Sequence, residues 1–137
     1  MDTKLFRSHV IDIKLPVAQE YTSVLRLFVA GIGNLWGLTL DEIEDLKLTA
    51  SEAFLDIADR AREIGGHIHV RWRVDADRAV LTLTDPSRTI RKITQSPVLA
   101  LLAESGKDVA IVNVAGEQNI EVGFHIHLAD ETIGRDG

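Results

Sequence analysis

The sequence predicts an α+β fold: a two-layer α/β sandwich in which helices cover one face of a mixed, mostly antiparallel sheet. Short segments alternate apolar and polar residues, as antiparallel strands with one solvated face do. Longer segments repeat apolar residues at steps of three and four, as amphipathic helices do. The chain has 137 residues, of which 45% are hydrophobic and 26% charged, so we expect a single domain over residues 1–137.

The N-terminal segment predicts a strand followed by a helix. Residues 8–15 alternate in character, and Pro16 suits the first turn of a helix, where its missing N–H has no partner to lose. The helix should end near Trp36, because glycines interrupt its second half. Its predicted buried side consists of Tyr21, Val24, Leu25, Phe28, Ile32 and Leu35.

An acidic, amphipathic helix is predicted over Asp41–Ala61. Thr39 suits the N-cap, since Glu42 follows at the spacing of a capping box, and Gly65 with Gly66 should stop the helix. Its apolar side is expected to comprise Ile43, Leu46, Ala50, Ala53, Phe54, Ile57, Ala61 and Ile64. Its opposite side carries carboxylates at Asp41, Asp45, Glu52, Asp56, Asp59 and Glu63. Such a row is most often a solvated surface, so on its own it does not indicate a site.

Two β-hairpins complete the predicted fold. Residues 67–74 alternate in character and, after a turn, Ala79–Asp85 forms the second strand of the first hairpin. The second hairpin joins Lys107–Val114 to Asn119–Leu128. A short apolar helix, Pro97–Glu104, is predicted between the two hairpins.

The composition excludes several classes of protein. The formal net charge of −6 argues against binding to nucleic acids or anionic membranes, both of which require a basic surface. The chain has no cysteine, so disulfides and thiolate metal sites are excluded. No apolar run approaches the roughly 20 residues of a membrane-spanning helix, and the N-terminus does not look like a secretory signal. We therefore expect a cytoplasmic protein.

Two histidine pairs have a spacing that zinc and copper sites use, His67 with His69 and His125 with His127. Each pair lies on one face of a predicted strand, but neither has a third ligand within that strand. The two strands belong to different hairpins, so a shared site of four histidines is not expected. We predict no metal site here.

Residues 51–61, SEAFLDIADRA, resemble the Glu-Ala-x-x-Asn-x-x-x-His-Ala helix of the GHKL ATPase superfamily, and most closely its branch of RsbW-like anti-sigma factors and serine-protein kinases. Glu52 and Ala53 match the motif. Asp56 stands at the position of the motif's Asn, and Arg60 at that of its His. The order of the predicted elements agrees with this family along the chain, which implies the GHKL (Bergerat-like) ATPase fold.

The resemblance implies roles for three carboxylates in phosphoryl transfer. In the kinase members the helix Glu, here Glu52, acts as general base on the target serine hydroxyl. The residue at the position of Asp56 ligates a magnesium ion that bridges the ATP phosphates. Asp85 corresponds to the Asp that receives the adenine amino group. Together such groups hold the phosphoryl group, neutralise its charge and orient the nucleophile.

Several residues depart from the nucleotide pocket of the family. Ser87 and Thr89 occupy positions where the family has glycine, and both carry the Cβ that glycine avoids. In the phosphate-binding segment, Ser96 and Pro97 replace a glycine-rich box, and Pro97 lacks an N–H donor. We therefore expect Mg-ATP to bind weakly or not at all, and efficient kinase activity to be lost.

Residues 24–27, VLRL, resemble the first helix of the same family, in which an Arg contacts the sigma factor. Small residues share the side of this helix that carries Arg26: Thr22, Ser23, Ala30 and Gly33. Small neighbours leave a guanidinium accessible, and Arg is well suited to fork onto a carboxylate. This side of the helix is therefore the predicted partner-binding surface. The alternative is that Arg26 is an ordinary solvated arginine.

The resemblance implies an anti-sigma factor that sequesters an alternative sigma factor and is released by an antagonist protein. Two alternatives stay open. One is an active ATP-dependent serine-protein kinase that phosphorylates the antagonist, with Glu52 as base, and the other is an ATPase-like regulatory module that docks on a sensor kinase. Nucleotide affinity separates the first two functions, and binding to a sigma factor separates both from the third. The family is also compatible with a homodimer.

Overall fold

A five-stranded sheet, with the strand order β1-β2-β3-β5-β4, forms one layer of the molecule. The structure is a computed structural model, and it describes residues 9–75, 78–85, 108–114 and 117–125. The strands are β1 (His9–Pro16), β2 (His67–Asp75), β3 (Arg78–Asp85), β4 (Asp108–Val114) and β5 (Glu117–His125). Every described pair of neighbouring strands is antiparallel.

The second layer consists of two helices, α1 (Thr22–Leu35) and α2 (Leu40–Ala61), preceded by a short 3-10 turn at Gln19–Tyr21. Helix α2 packs against α1 and against β2, β3 and β5. The predicted two-layer α+β sandwich is therefore confirmed, while the helix predicted over Pro97–Glu104 lies outside the described residues. Neither α1 nor α2, nor any other helix in the described ranges, has the length and apolar character needed to cross a membrane.

Burial alternates along β2, as the sequence predicts. Its inward residues, which are at most 1% exposed, are Ile68, Val70, Trp72 and Val74. The residues between them are exposed. Val70 lies opposite Leu83 of β3, and Trp72 lies opposite Leu81, so the buried rows of neighbouring strands are in register. A slip of one residue would turn this whole row towards solvent.

The core lies between this face of the sheet and the helices. Trp72 from the sheet and Phe54 from α2 are its largest fully buried side chains. The helices add Leu25, Val29 and Ile32 of α1, and Leu46, Ala50, Ala53 and Ile57 of α2. Full burial of one large apolar side chain contributes roughly 1.5–3 kcal/mol. The packing of the helices against the sheet is therefore a major source of stability for the described fold. Ile64, predicted for the apolar side of α2, lies beyond the helix end and is 61% exposed.

Both ends of α2 are determined by local sequence. Thr39 and Glu42 form the predicted capping box: Glu42 N–H donates to Thr39 Oγ1 at 3.1 Å, and Thr39 N–H donates to Glu42 Oε1 at 2.8 Å. At the other end Gly65 donates its N–H to the carbonyl of Ala61 at 2.9 Å. Gly65 and Gly66 have φ values of 77° and 92°, which side chains with a Cβ rarely adopt. The predicted start and stop signals are confirmed.

The buried side of α1 differs from the prediction at its edges. Leu25 and Ile32 are buried as predicted, but Val24 and Leu35 are 43% and 73% exposed, and Val29 is fully buried in their place. Leu25, Val29 and Ile32 form one narrow stripe, which the core covers. Val24 and Leu35 lie roughly 85–110° from the centre of that stripe on a helix of 3.6 residues per turn. Apolar character alone did not indicate how wide the covered stripe is.

The first helix also begins later than predicted. Pro16 is the last residue of β1 and pairs with His67 instead of opening a helix. Val17 then donates its N–H to the carbonyl of Gly66 at 3.1 Å, which prolongs the extended contact beyond the proline. Proline is tolerated here because β1 is an edge strand. Helix α1 therefore starts only at Thr22.

An ion pair joins the edge strand β1 to β2 on the outer face of the sheet. Asp12 lies opposite Arg71, whose guanidinium donates from Nε to Oδ1 at 2.7 Å and from Nη2 to Oδ2 at 3.4 Å. The hydrogen bond from Arg71 lowers the pKa of Asp12 below its ordinary value, and in turn it raises the pKa of Arg71. Both side chains are 55% exposed, so the pair contributes about 1 kcal/mol at most.

Gly33 on α1 tests how closely the two helices pack. A Cβ at this position would lie 2.6 Å from Cγ1 of Ile43, so we expect Gly33→Ala to destabilise the fold by about 1–3 kcal/mol through overpacking. Gly31→Ala is the matched control: nothing lies within 4 Å of its Cβ, so the change should stabilise the helix by about 1 kcal/mol. Urea unfolding measures both changes, and a Gly33→Ala variant as stable as Gly31→Ala would contradict the close contact.

The pair between Asp12 and Arg71 predicts a pH-dependent contribution to stability. Because the pKa of Asp12 is lower in the folded than in the unfolded chain, the pair stabilises the fold above about pH 4 and loses this effect as the pH falls through the folded pKa. At pH 7 the free energy of unfolding of Asp12→Asn should be lower than that of the unchanged chain by up to about 1 kcal/mol. The two values should converge as the pH falls below about 4, and a gap that does not narrow on acidification would argue against this assignment. Asp59→Asn, which removes a single-contact partner of Arg62, is the control.

Candidate functional site

The acidic side of α2 is not uniformly solvated. Its exposed carboxylates are Asp41, Asp59 and Glu63, near the ends of the helix or beyond it, and its half-buried ones are Asp45, Glu52 and Asp56, in the middle. Glu52 and Asp56 are four residues apart and therefore lie one helical turn from each other on the same side. Charges that are partly removed from water interact more strongly than fully solvated charges. The middle of the row thus departs from an ordinary solvated surface.

Arg60 pairs with Asp56, one turn earlier on α2. Its Nε donates to Oδ2 of Asp56 at 3.2 Å, and the two side chains are 25% and 20% exposed. Opposite charges at this spacing commonly pair on helices. Sequence reasoning placed Arg60 at the position of the motif's His and assigned it no role. Its partial burial distinguishes this pair from a surface ion pair.

The arrangement of Asp56 does not fit the magnesium ion that the family resemblance implies. One oxygen of its carboxylate already accepts a hydrogen bond from Arg60. A Mg²⁺ ion on the other oxygen would lie beside a fixed positive charge, and Mg²⁺ requires near-octahedral coordination by oxygen. A magnesium ion at Asp56 therefore requires that this ion pair opens.

Asp85 is the last residue of β3 and lies opposite Gln118 of β5. The antiparallel pairing places it at the end of the strand, where the resemblance puts the adenine-binding Asp. Its side chain lies outside the described part of the chain. So do the departures from the glycine boxes: Ser87, Thr89, Ser96 and Pro97. The roles expected for these residues stay predictions.

The histidine pairs lie on strands that are not neighbours. Strand β3 separates β2 from β5 in the sheet. His69 pairs with Thr84 near one end of β3, whereas His125 pairs with Arg78 at the other end. His127 lies outside the described residues. Within the described ranges, no three His, Asp or Glu side chains are grouped so that they hold a metal ion.

The outer side of α1 forms an open groove of about 540 Å³. It is lined by Thr22, Ser23, Arg26, Leu27 and Ala30 of α1 and by Lys47 of α2. The structure thus brings together Thr22, Ser23, Arg26 and Ala30, as the sequence predicts. Sequence reasoning missed Leu27, which is 74% exposed, and it missed Lys47, because no local pattern relates the two helices.

Hydrogen bonds within the chain already use the two hydroxyls of this groove as donors. Thr22 Oγ1 donates to the carbonyl of Gln19 at 2.7 Å, and Ser23 Oγ donates to that of Glu20 at 3.3 Å. Both bonds tie the first turn of α1 to the preceding 3-10 turn. Arg26 is the long side chain with hydrogen-bond donors that α1 contributes to the groove. Within the described residues it makes no ion pair.

Gly33 is not part of this surface, and the prediction that it is exposed was wrong. It is buried, because Ile43 of α2 packs over it. Lys47 lies one turn further along α2 and lines the groove beside Ala30. The two helices are therefore in contact at Gly33, and the groove occupies the side of α1 nearer its N-terminus.

Known serine-protein kinases named RsbW resemble this chain along most of its length. The one from Bacillus velezensis is 36% identical over 143 aligned positions, which cover 90% of this chain and 88% of that protein. The chain belongs to the RsbW family. RsbW of Bacillus subtilis is 27% identical over 146 positions, which cover 92% of this chain and 90% of that protein. No family model matches the chain.

The match to some RsbW proteins is shorter. RsbW of Halalkalibacterium halodurans is 31% identical over 86 positions, which cover 63% of this chain and 53% of that protein. The chain thus spans about half the length of that relative. Membership of the RsbW family confirms the resemblance that the motif of α2 and the first helix indicated.

The carboxylates that occupy two positions of the RsbW motif, Glu52 and Asp56, differ in their surroundings. Transfer of a phosphoryl group to serine requires a base within reach of the hydroxyl and groups that hold the phosphates. Glu52 keeps the motif residue, and among the described residues it makes no ion pair. Asp56 is engaged by Arg60. The chain therefore keeps the motif's Glu at position 52 and has Asp in place of the motif's Asn at position 56, and the roles expected for both residues stay predictions.

We expect Mg-ATP to bind this RsbW family member more weakly than the low micromolar range. Asp56→Asn should strengthen binding by about three- to tenfold, because it removes a negative charge on the side of α2 where the resemblance implies phosphates. Asp59→Asn, an exposed Asp on the same helix, is the control and should change little. Isothermal titration calorimetry measures all three affinities. Tight binding by the unchanged chain, or weaker binding by Asp56→Asn, would contradict this expectation.

Proposed function

We propose that the chain is an anti-sigma factor, which sequesters a sigma factor and is released when an antagonist protein competes for it. The family resemblance of its first helix supports this role. The observation that supports it most directly is the groove on α1, where apolar and cationic side chains lie together on the surface of a chain whose net charge is −6. Such a surface favours a partner that presents both apolar and acidic side chains.

Two kinds of side chain in and beside the groove suit such a partner. Leu27 and Val24 are 74% and 43% exposed, which makes this part of α1 unusually apolar for a solvated helix. Arg26 is exposed beside them and can fork onto a partner carboxylate. Lys47 adds a second cation from α2. Apolar area would supply most of the affinity, and the cations would orient the partner.

The charge of Arg26 tests this proposal. If Arg26 contacts a desolvated carboxylate, Arg26→Glu should weaken the complex with the sigma factor by roughly 2–5 kcal/mol, since the partner charge is left buried and opposed. Arg62→Glu is the matched control, because Arg62, the residue that follows α2, is 69% exposed and does not line the groove. Arg71 serves less well, because its substitution would break a two-contact pair that joins β1 to β2, whereas Arg62 has a single contact to Asp59 three residues away.

Pull-down of each alternative sigma factor of the source genome identifies the partner, and calorimetry on that pair then gives the affinities. Circular dichroism melting shows whether each variant keeps the fold. Equal losses from Arg26→Glu and Arg62→Glu would point to general electrostatics and reject a specific contact. No loss from Arg26→Glu would leave Arg26 as a solvated arginine and remove the main support for the groove.

An active serine-protein kinase is the second candidate function, and the retained Glu52 favours it. In that case the antagonist protein would be the substrate, and Glu52 would accept the proton of its serine hydroxyl. Incubation of the chain with labelled ATP and the antagonist separates the two proposals. Phosphorylation that disappears in Glu52→Gln would establish the kinase, whereas binding to the sigma factor without phosphorylation supports the anti-sigma role alone.

A further inference from the structure

The pair of Asp56 and Arg60 replaces an uncharged Asn and the His of the family motif with two charged residues. The replacements introduce one negative charge and one permanent positive charge. In the structure these two charges contact each other, with Nε of Arg60 3.2 Å from Oδ2 of Asp56. The two departures from the motif are therefore in contact, and Arg60 is an ion-pair partner of Asp56.

We infer that Arg60 is the built-in counter-ion of Asp56 and keeps divalent cations off this carboxylate. The acidic side of α2 then does not bind a divalent cation, although it carries carboxylates of the kind that ligate one. The inference rests on the role in binding Mg-ATP that the family resemblance implies for this side of α2. It assigns to Arg60 a role in specificity that the motif does not contain.

The surroundings of the pair carry this inference. Both side chains are largely shielded, at 20% and 25% exposed, so water screens their attraction less than it does at an open surface. Arg60 contributes a fixed positive charge and a planar set of donors, which the motif's His does not supply. A divalent cation at Asp56 would have to displace Arg60 or share the carboxylate with it, and both are unfavourable.

A second pair on the same helix provides the contrast. Asp59 near the end of α2 and Arg62, the residue that follows the helix, also pair opposite charges, with Nη1 of Arg62 3.3 Å from Oδ1 of Asp59. Their side chains are 69% and 74% exposed, so water screens this pair strongly. The two pairs differ mainly in burial. If burial makes Arg60 an effective counter-ion, removing Arg60 should change cation binding, and removing Arg62 should not.

Manganese binding to the full chain, without nucleotide, tests the inference. Mn²⁺ is a paramagnetic stand-in for Mg²⁺, and electron paramagnetic resonance counts the unbound ion directly. We expect Arg60→Ala to bind Mn²⁺ at least about tenfold more tightly than the unchanged chain, because a half-buried carboxylate loses its partner. Arg60→Lys, which keeps the charge, and Arg62→Ala should each stay within about threefold of the unchanged chain. Adding Asp56→Asn to Arg60→Ala should abolish the gain.

The outcomes separate clearly. A gain in Arg60→Ala that the Asp56→Asn change removes establishes the counter-ion role. Equal Mn²⁺ affinity of Arg60→Ala and the unchanged chain overturns it, and so does an equal gain in Arg62→Ala, which would show a general effect of net charge. Circular dichroism melting of each variant confirms that it is folded. The titration uses neither nucleotide nor sigma factor, so its result does not depend on whether the anti-sigma proposal holds.

Discussion

The packing of α2 against the sheet is the contact on which both candidate sites depend. Phe54 of this helix and Trp72 of the sheet are the largest fully buried side chains, and they lie in one core. Because they set the rotation of α2, they also set which of its other residues lie on each flank. Glu52 and Asp56 lie on one flank, and Lys47 lies on another, at the groove of α1. A rotation of one position would expose the core and dismantle both sites together.

Within α2 the electrostatics depend on burial more than on spacing. Three ion pairs of similar length lie along this helix: Lys47 with Glu44, Arg60 with Asp56, and Arg62 with Asp59. Of these three pairs, only that of Arg60 and Asp56 has both side chains largely shielded from water. Solvated pairs of this kind contribute little, whereas a shielded pair changes what its carboxylate can bind. The same local pattern therefore has different chemical consequences at different positions of one helix.

Sequence reasoning succeeded where a short pattern has one structural solution. The capping box at Thr39, the stop at Gly65 and the alternation along β2 are local rules, and the structure follows each of them. It failed where a local signal had two solutions. Pro16 is equally compatible with an edge strand, and Val24 is equally apolar whether the core covers it or not. In both cases contacts with distant residues decided the outcome.

The sequence by itself determined the types and order of the described helices and strands, and the family, since these follow from periodicity, capping and the motif around Glu52. It also identified Arg26 as a candidate contact, because helical spacing places small residues beside it. Only the tertiary structure decided that Lys47 belongs to the groove, that Gly33 does not, and that the charge of Asp56 is already neutralised by Arg60. The facts about Lys47 and Gly33 depend on which side chains from separate elements meet. The pair of Asp56 and Arg60 is local, but how much water remains around it depends on the packed core. These properties are set only when the core packs, so no local stretch of chain determines them.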